Sequence, residues 1–173
     1  SRNQDSGSLV GSFLVMDPHE NQFYAAGHDE NAGFVIRRYS FDSDGNTQLE
    51  QTLDDFTSNR NLCGPRRVMT SRHGRFLFVT GTCFGDWAVY SINRDPELGP
   101  IGMLEKQPRM QGFADAWAFE DAEVSPDGNY LLTLLYVRQT DETILGILEV
   151  DEVQRTLRRL GAGLRIPGRA RSM

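Results

Sequence analysis

One phrase constrains this chain more than any other. S-P-D-G-N-Y-L-L-T at 125–133 couples a tight-turn tetrapeptide to a strand-like run, and an imperfect copy, S-R-H-G-R-F-L-F-V-T, stands at 71–80. The aromatic after each turn recurs as Phe23, Phe76 and Tyr130, at spacings of 53 and 54. Two residues before each aromatic stand Asn21, Gly74 and Gly128, the residue types that tolerate a positive φ in a tight turn. Self-similarity at a fixed period of a few tens of residues is the mark of a repeated supersecondary unit.

Each copy carries the same succession of strand signals. In the middle copy residues 66–70 lead through a turn into 75–81, then 87–93, then 102–107, four β-rich runs joined as hairpins. The first and third copies follow the same order, giving twelve expected strands in three sheets of four. Four-stranded units repeated without helices are the blades of a β-propeller, which closes a ring of 4 to 8 blades. The expected fold is therefore all-β: a propeller segment of about three antiparallel blades at 10–53, 66–107 and 117–160. A leader or remnant of a preceding blade (1–9) stands before them, and a basic tail (161–173) follows. Three blades do not close a ring, so either further blades belong to a longer chain or two copies form a six-blade homodimer.

The net charge of −6 hides an asymmetry. Residues 155–173 hold six arginines and no acid, which leaves 12 basic against 24 acidic residues, or −12, on the rest. An acidic body repels phosphate backbones, which argues against nucleic acid as a partner. The arginine-rich tail is expected to be solvated and frayed. No apolar run approaches the roughly 20 residues of a membrane-spanning helix.

The P-D-G-N-Y turn at 126–130, G-P-R-R-V at 64–68, H-G-R-F-L-F-V-T-G at 73–81 and V-Y-S-I-N-R-D at 89–95 resemble the lactonase-type (6-phosphogluconolactonase-like) and YVTN-repeat β-propellers. The resemblance covers roughly residues 10–160 and specifies blade architecture better than function. It implies, as an alternative to a plain binding role, hydrolysis of a sugar lactone. Members tend to carry histidine beside the Gly-Pro pair, where this chain has Arg66 and Arg67.

In such a ring the loops at 28–32, 54–65, 82–86, 107–116 and 137–142 share one face, and the turns at 17–22, 71–75 and 125–129 share the other. Loops carry function more often than scaffolds do, so the first face is the candidate site. Arg60, Arg66 and Arg109, with Asn59 and Asn61, form either a cationic clamp for a carboxylate or phosphate or a set of inter-blade ion pairs. Trp117 adds an aromatic wall. Glu120 and Asp121 are the candidate general acid and base, the competing reading being channel-lining carboxylates paired with arginine. Strand alternation groups Asp121 and Glu123 with Trp117 and Phe119. In the lactonase reading Arg66 or Arg109 holds the carbonyl or carboxylate, and Glu120 or Asp121 activates water.

His28-Asp29-Glu30-Asn31 reads as a solvated loop, and Asp42-Ser43-Asp44-Gly45-Asn46 as a hairpin turn lacking EF-hand spacing. No metal or other cofactor is expected, and no nucleophile elbow or phosphate-binding glycine loop is present in the sequence. The leading expectation is a binding module for a small molecule, glycan or protein.

Cys63 and Cys83 flank a hairpin whose ends meet on the candidate face. They are either bridged, which requires an oxidising, extracytoplasmic compartment, or two neighbouring thiols of a cytoplasmic protein. A bridge closing this loop stabilises by about 3 kcal/mol in the chain-entropy picture. Intact mass before and after reduction decides: a gain on reduction identifies the bridge, and an unchanged mass excludes it.

Overall fold

Alternating apolar side chains build three sheets, which the computed structural model describes over residues 9–53, 65–81, 87–106, 118–154 and 156–170. The first sheet runs β1 (Leu9–Met16), β2 (Gln22–Asp29), β3 (Gly33–Phe41), β4 (Thr47–Leu53). The second runs β5 (Pro65–Thr70), β6 (Phe76–Gly81), β7 (Trp87–Ile92), β8 (Leu104–Lys106). In the third, β9 (Ala118–Val124), β10 (Tyr130–Val137) and β11 (Glu142–Asp151) are followed by β12 (Thr156–Arg159) and β13 (Leu164–Pro167), both paired to β11. All neighbours are antiparallel, and no helix occurs among the described residues. The chain is an all-β propeller segment of three blades.

The middle blade shows what holds the blades together. On β6 and β7, Phe76, Phe78 and Val89 press against Leu131, Leu135, Ile144 and Leu148 of the third blade. Leu77, Val79, Ala88 and Tyr90, on the opposite face of the same sheet, press against Tyr24, Ala26 and Ile36 of the first blade. Consecutive side chains of a strand point to opposite faces, so one run, F-L-F-V, feeds two cores. Burial of each such side chain contributes about 1.5–3 kcal/mol. β1 lies alongside β5, and β5 alongside β9, so these first strands are the inner strands of the segment. At the outer edge the Gln51 amide mimics a peptide group, donating to the Leu104 carbonyl at 3.0 Å and accepting from the Leu104 N–H at 2.9 Å.

The corners between first and second strands repeat at one strict offset. Asp17, Ser71 and Ser125 each donate a backbone N–H to the carbonyl five residues on, at Gln22, Phe76 and Tyr130. The period is therefore constant at 54, and Gln22, not Phe23, is the counterpart of Phe76. Phe23 faces the other way, its ring stacked 4.9 Å from that of Tyr39. Gly74 and Gly128 adopt φ of 60° and 76° as expected, but Asn21 does not, since Asp141 is the one non-glycine residue at positive φ among those described. The first corner has lost the glycine and tightens through Asp17, whose carboxylate accepts the His19 N–H at 2.9 Å.

These corners also join the blades. A Cβ at Gly74 would meet Pro18 Cγ at 2.8 Å, and one at Gly128 would collide with Arg72 Cβ. Pro18 and Arg72 are themselves one period apart, so each corner packs on the glycine of the next. Asp17, whose side chain is fully buried, accepts from Arg94 Nη2 at 2.8 and 2.9 Å and from Tyr24 OH at 2.8 Å. Arg94 Nε in turn donates to the Gly74 carbonyl at 2.8 Å. Burial pushes the Asp17 carboxyl up, but hydrogen bonds from Arg94, the His19 N–H and Tyr24 outweigh it and hold it below the ordinary aspartate range. Burial and the neighbouring Asp17 charge push the Tyr24 phenol up.

The tail departs from expectation. Instead of fraying after residue 160, the chain turns and adds β13 to β11, Ile166 opposite Thr143 and Leu164 opposite Leu145. The Ala170 N–H then donates to Thr143 Oγ1 at 2.9 Å, and Arg165 pairs with Glu142 at 2.7 Å. Arginines in this segment satisfy acids of their own blade, which explains a basic run on an acidic body. The outer strand of the third blade is thus β12 and β13 in succession, giving thirteen strands among the described residues where twelve were expected.

The corners can be tested by substitution. Gly45 sits at φ 81° with open space around it, so Gly45→Ala costs about 1 kcal/mol of backbone strain, whereas Gly128→Ala adds a steric clash and costs well over about 2 kcal/mol; thermal denaturation measures both. Asp17→Asn removes a buried partner of Arg94 and destabilises by on the order of 3 kcal/mol at pH 7. Because the folded-state pKa of Asp17 is lowered, its contribution is complete above the unfolded value near 4 and fades as pH falls through the folded one. Urea denaturation from pH 7 to 3 should show the gap between wild type and variant closing below about pH 4.

Candidate functional site

The inner strands share an irregularity at the end opposite the corners. β1 shifts register between Val10 and Phe13, β5 between Pro65 and Arg67, and β9 between Phe119 and Asp121, where Leu135 and Leu134 are the partners. Each shift inserts one residue, a β-bulge, which falls within Gly11–Ser12 in β1, at Arg66 in β5 and at Glu120 in β9; Ser12, Arg66 and Glu120 stand one period apart. Bulges bend a strand and re-aim side chains, and they gather at barrel rims and beside binding sites. Three adjacent inner strands therefore place a serine, an arginine and a glutamate at equivalent positions.

Around Glu120 the structure assembles a polar cluster. Glu120 is 1% exposed, and its Oε1 accepts from Arg169 Nε at 2.6 Å and Nη2 at 2.5 Å. The Arg169 guanidinium lies 5.1 Å from the centroid of the Tyr136 ring, within cation–π range. Tyr136 OH donates to Asp141 Oδ1 at 2.9 Å, and this bond pushes the phenol pKa up. Asp121 is the more accessible carboxylate, its side chain 13% exposed against 1% for Glu120. Its Oδ1 accepts from Arg67 Nη1 at 2.5 Å and from the Ala122 N–H at 2.9 Å, and Arg67 Nη1 also donates to the Ala122 carbonyl at 2.7 Å. Arg67 thus ties β5 to β9 while its side chain stays 41% exposed.

Alternation does not carry across this strand as expected. The inserted Glu120 resets it between Phe119 and Asp121, and Glu123 is exposed to solvent. Of the sequence-predicted residues, Glu120 and Asp121 come together at the bulged end of β9. Arg66 holds a bulge on the neighbouring strand, its side chain outside the described residues. Arg60, Arg109, Asn59, Asn61, Trp117, Cys63 and Cys83 lie outside the described residues altogether.

Sequence reasoning missed Arg67 and Arg169. The doubled arginine of G-P-R-R-V was the available signal for the first. For the second there was none, because its partner is 49 residues away.

Asp29 is engaged in its own hairpin. It closes the β2–β3 hairpin by accepting the Asn31 and Ala32 N–H groups at 2.8 and 2.9 Å, and it pairs with Arg37, all of which hold its carboxyl below the usual range. Asp42 is likewise consumed by its turn, accepting the Asp44 and Asn46 N–H groups at 2.9 Å.

Neither a protein-family profile nor a curated protein matches the sequence. Solved structures do. The periplasmic gluconolactonase of Pseudomonas aeruginosa superposes with a TM-score of 0.65 and 17% identity, covering 93% of this chain and 40% of its own. A candidate 6-phosphogluconolactonase of Bacteroides fragilis gives 0.65 and 16%, covering 90% and 39%. A third, from Lactobacillus plantarum, gives 0.66 and 17%, covering 90% and 42%. At these identities the likeness establishes fold and not activity, and the chain spans about two fifths of the length of the structures it matches. The chain has the fold of the lactonase-type β-propellers, over three of their blades.

Proposed function

We propose that the chain supplies part of a sugar-lactone site at the bulged end of its inner strands. The observation that carries this reading is the Asp121–Arg67 pair, a carboxylate and a guanidinium held together across two adjacent inner strands, with the guanidinium left accessible. The names of the superposed gluconolactonases point to the substrate class.

Lactone hydrolysis needs a polarised carbonyl and a group that takes a proton from water. In this reading Arg67 holds the carbonyl oxygen or an anionic substituent, with Arg66 and Arg109 as further candidates. Water adds to the carbonyl carbon as the Asp121 carboxylate accepts its proton. The ring C–O bond then breaks, the proton passes to the departing ring oxygen, and the product is the open hydroxy acid. Glu120, locked by Arg169, fixes the bulge that presents Asp121. A second reading is favoured by the same geometry: with both carboxylates already paired to arginine, the surface binds a sugar or sugar acid without turning it over.

Assay against glucono-δ-lactone separates the two. A general base contributes about 10²–10⁴-fold, so Asp121→Asn should lower the enzymatic rate at least about a hundredfold, measured below the variant's own melting temperature so that a lost inter-strand ion pair is not read as lost catalysis. Arg67→Ala should act mainly by raising KM. A wild-type rate no higher than that of buffer rejects hydrolysis and leaves the binding reading.

A further inference from the structure

Arg169 is held in place more closely than the sheet alone requires. β13 leaves the ladder at Pro167, opposite Glu142, and Gly168, at φ 80°, turns the chain away from it. Beyond that point the ladder no longer fixes the backbone, yet hydrogen bonds to the end of the β10–β11 hairpin do. The Gly168 N–H donates to the Asp141 carbonyl at 2.8 Å, and the Thr143 hydroxyl donates to the Gly168 carbonyl at 2.8 Å. The same hydroxyl oxygen accepts the Ala170 N–H at 2.9 Å. One fully buried threonine therefore brackets a single residue, Arg169.

The Arg169 side chain is aimed by a second set of contacts. Tyr136, opposite Thr143 on β10, lies under the guanidinium, and its hydroxyl donates to Asp141 Oδ1. Asp141, at φ 50°, is the one non-glycine residue at positive φ among those described, whereas the β2–β3 hairpin of the first blade has a glycine, Gly33, at its positive-φ position. Glycine is the residue such a turn favours on conformational grounds. Backbone strain persists where the surroundings hold it, and it gathers at functional sites. Here the strained residue supplies a carboxylate that holds the ring beneath Arg169.

We propose that Thr143 and the Tyr136–Asp141 pair are positioning residues: they aim Arg169 at Glu120, whose buried carboxylate sets the bulge in β9 and with it the direction of Asp121. A long arginine side chain has many rotamers, so a two-pronged grip on Glu120 Oε1, at 2.6 and 2.5 Å, needs both the backbone and the guanidinium plane fixed. The catalytic consequence rests on the lactone reading, whereas the aim of Arg169 does not.

Two measurements on the intact chain test it. The first is the Arg169 Nε–Hε signal in a proton–nitrogen correlation spectrum, identified by its loss in Arg169→Lys. Bonded to a buried carboxylate, this proton should lie downfield and exchange slowly with water. Thr143→Val keeps the shape and removes both hydroxyl bonds, and Asp141→Gly relieves the backbone while removing the acceptor. Each should return the proton toward free-arginine values, and Thr143→Ser, which keeps the hydroxyl, should not. The second is turnover of glucono-δ-lactone: Thr143→Val and Asp141→Gly should lower kcat by about 10- to 100-fold with KM nearly unchanged, and Thr143→Ser should not.

Circular dichroism confirms folding, and Tyr136→Phe, which keeps the ring and removes the donor to Asp141, replaces a variant that unfolds. An Arg169 proton that either variant leaves unmoved overturns the proposal. So does a loss in Thr143→Ser equal to that in Thr143→Val, or a displaced proton at unchanged kcat in an active enzyme. A wild type without turnover rejects the lactone reading, and the Arg169 proton still decides the positioning.

Discussion

Everything in this structure depends on a sheet having two apolar faces and no way to bury both alone. Phe76 and Phe78 need the third blade, and Leu77 and Val79 need the first. A single four-stranded unit would leave one core or the other in water, so stability is a property of the junctions between blades. Side-chain hydrogen bonds reinforce these junctions at both ends of the sheet, through Gln51 at the outer edge and Asp17 with Arg94 at the corners. The polar contacts sit where the apolar ones run out.

That division of labour separates the two ends of the inner strands. At the corner end, backbone approach is so close that a Cβ on Gly128 would run into Arg72, and the polar groups are spent on one another. At the other end the regular ladder is broken by an inserted residue in β1, β5 and β9. Regular strands would aim these positions by strict alternation. The bulge frees them from it, and Glu120, Asp121, Arg67 and Arg169 form a cluster there.

Much of the architecture was legible because it is local. Turn residues and β-rich runs placed the strands of all three blades to within a few residues, and the unbroken apolar run F-L-F-V is what a strand buried on both faces requires. The first corner was misaligned by one residue because an aromatic, Phe23, stood next to the true counterpart, Gln22. The polar Gln22 is buried only because Arg38 and Asp17 satisfy its amide, which no local pattern reports. The bulges were invisible for a related reason: an inserted residue is defined by its partner strand, not by its own sequence. The tail misled because an arginine-rich run looks solvated until the acids that Arg158, Arg165 and Arg169 pair with, Glu149, Glu142 and Glu120, are brought beside them.

The assignment of function to the bulged end, with the corners as scaffold, is tested most directly by following backbone amide resonances while titrating glucono-δ-lactone or its open acid. Shifts should concentrate in the inner-strand segments 9–13, 65–67 and 118–122 and leave the corners at 17–22, 71–76 and 125–130 unmoved. Shifts concentrated at the corners, or none at any concentration of either compound, would contradict it.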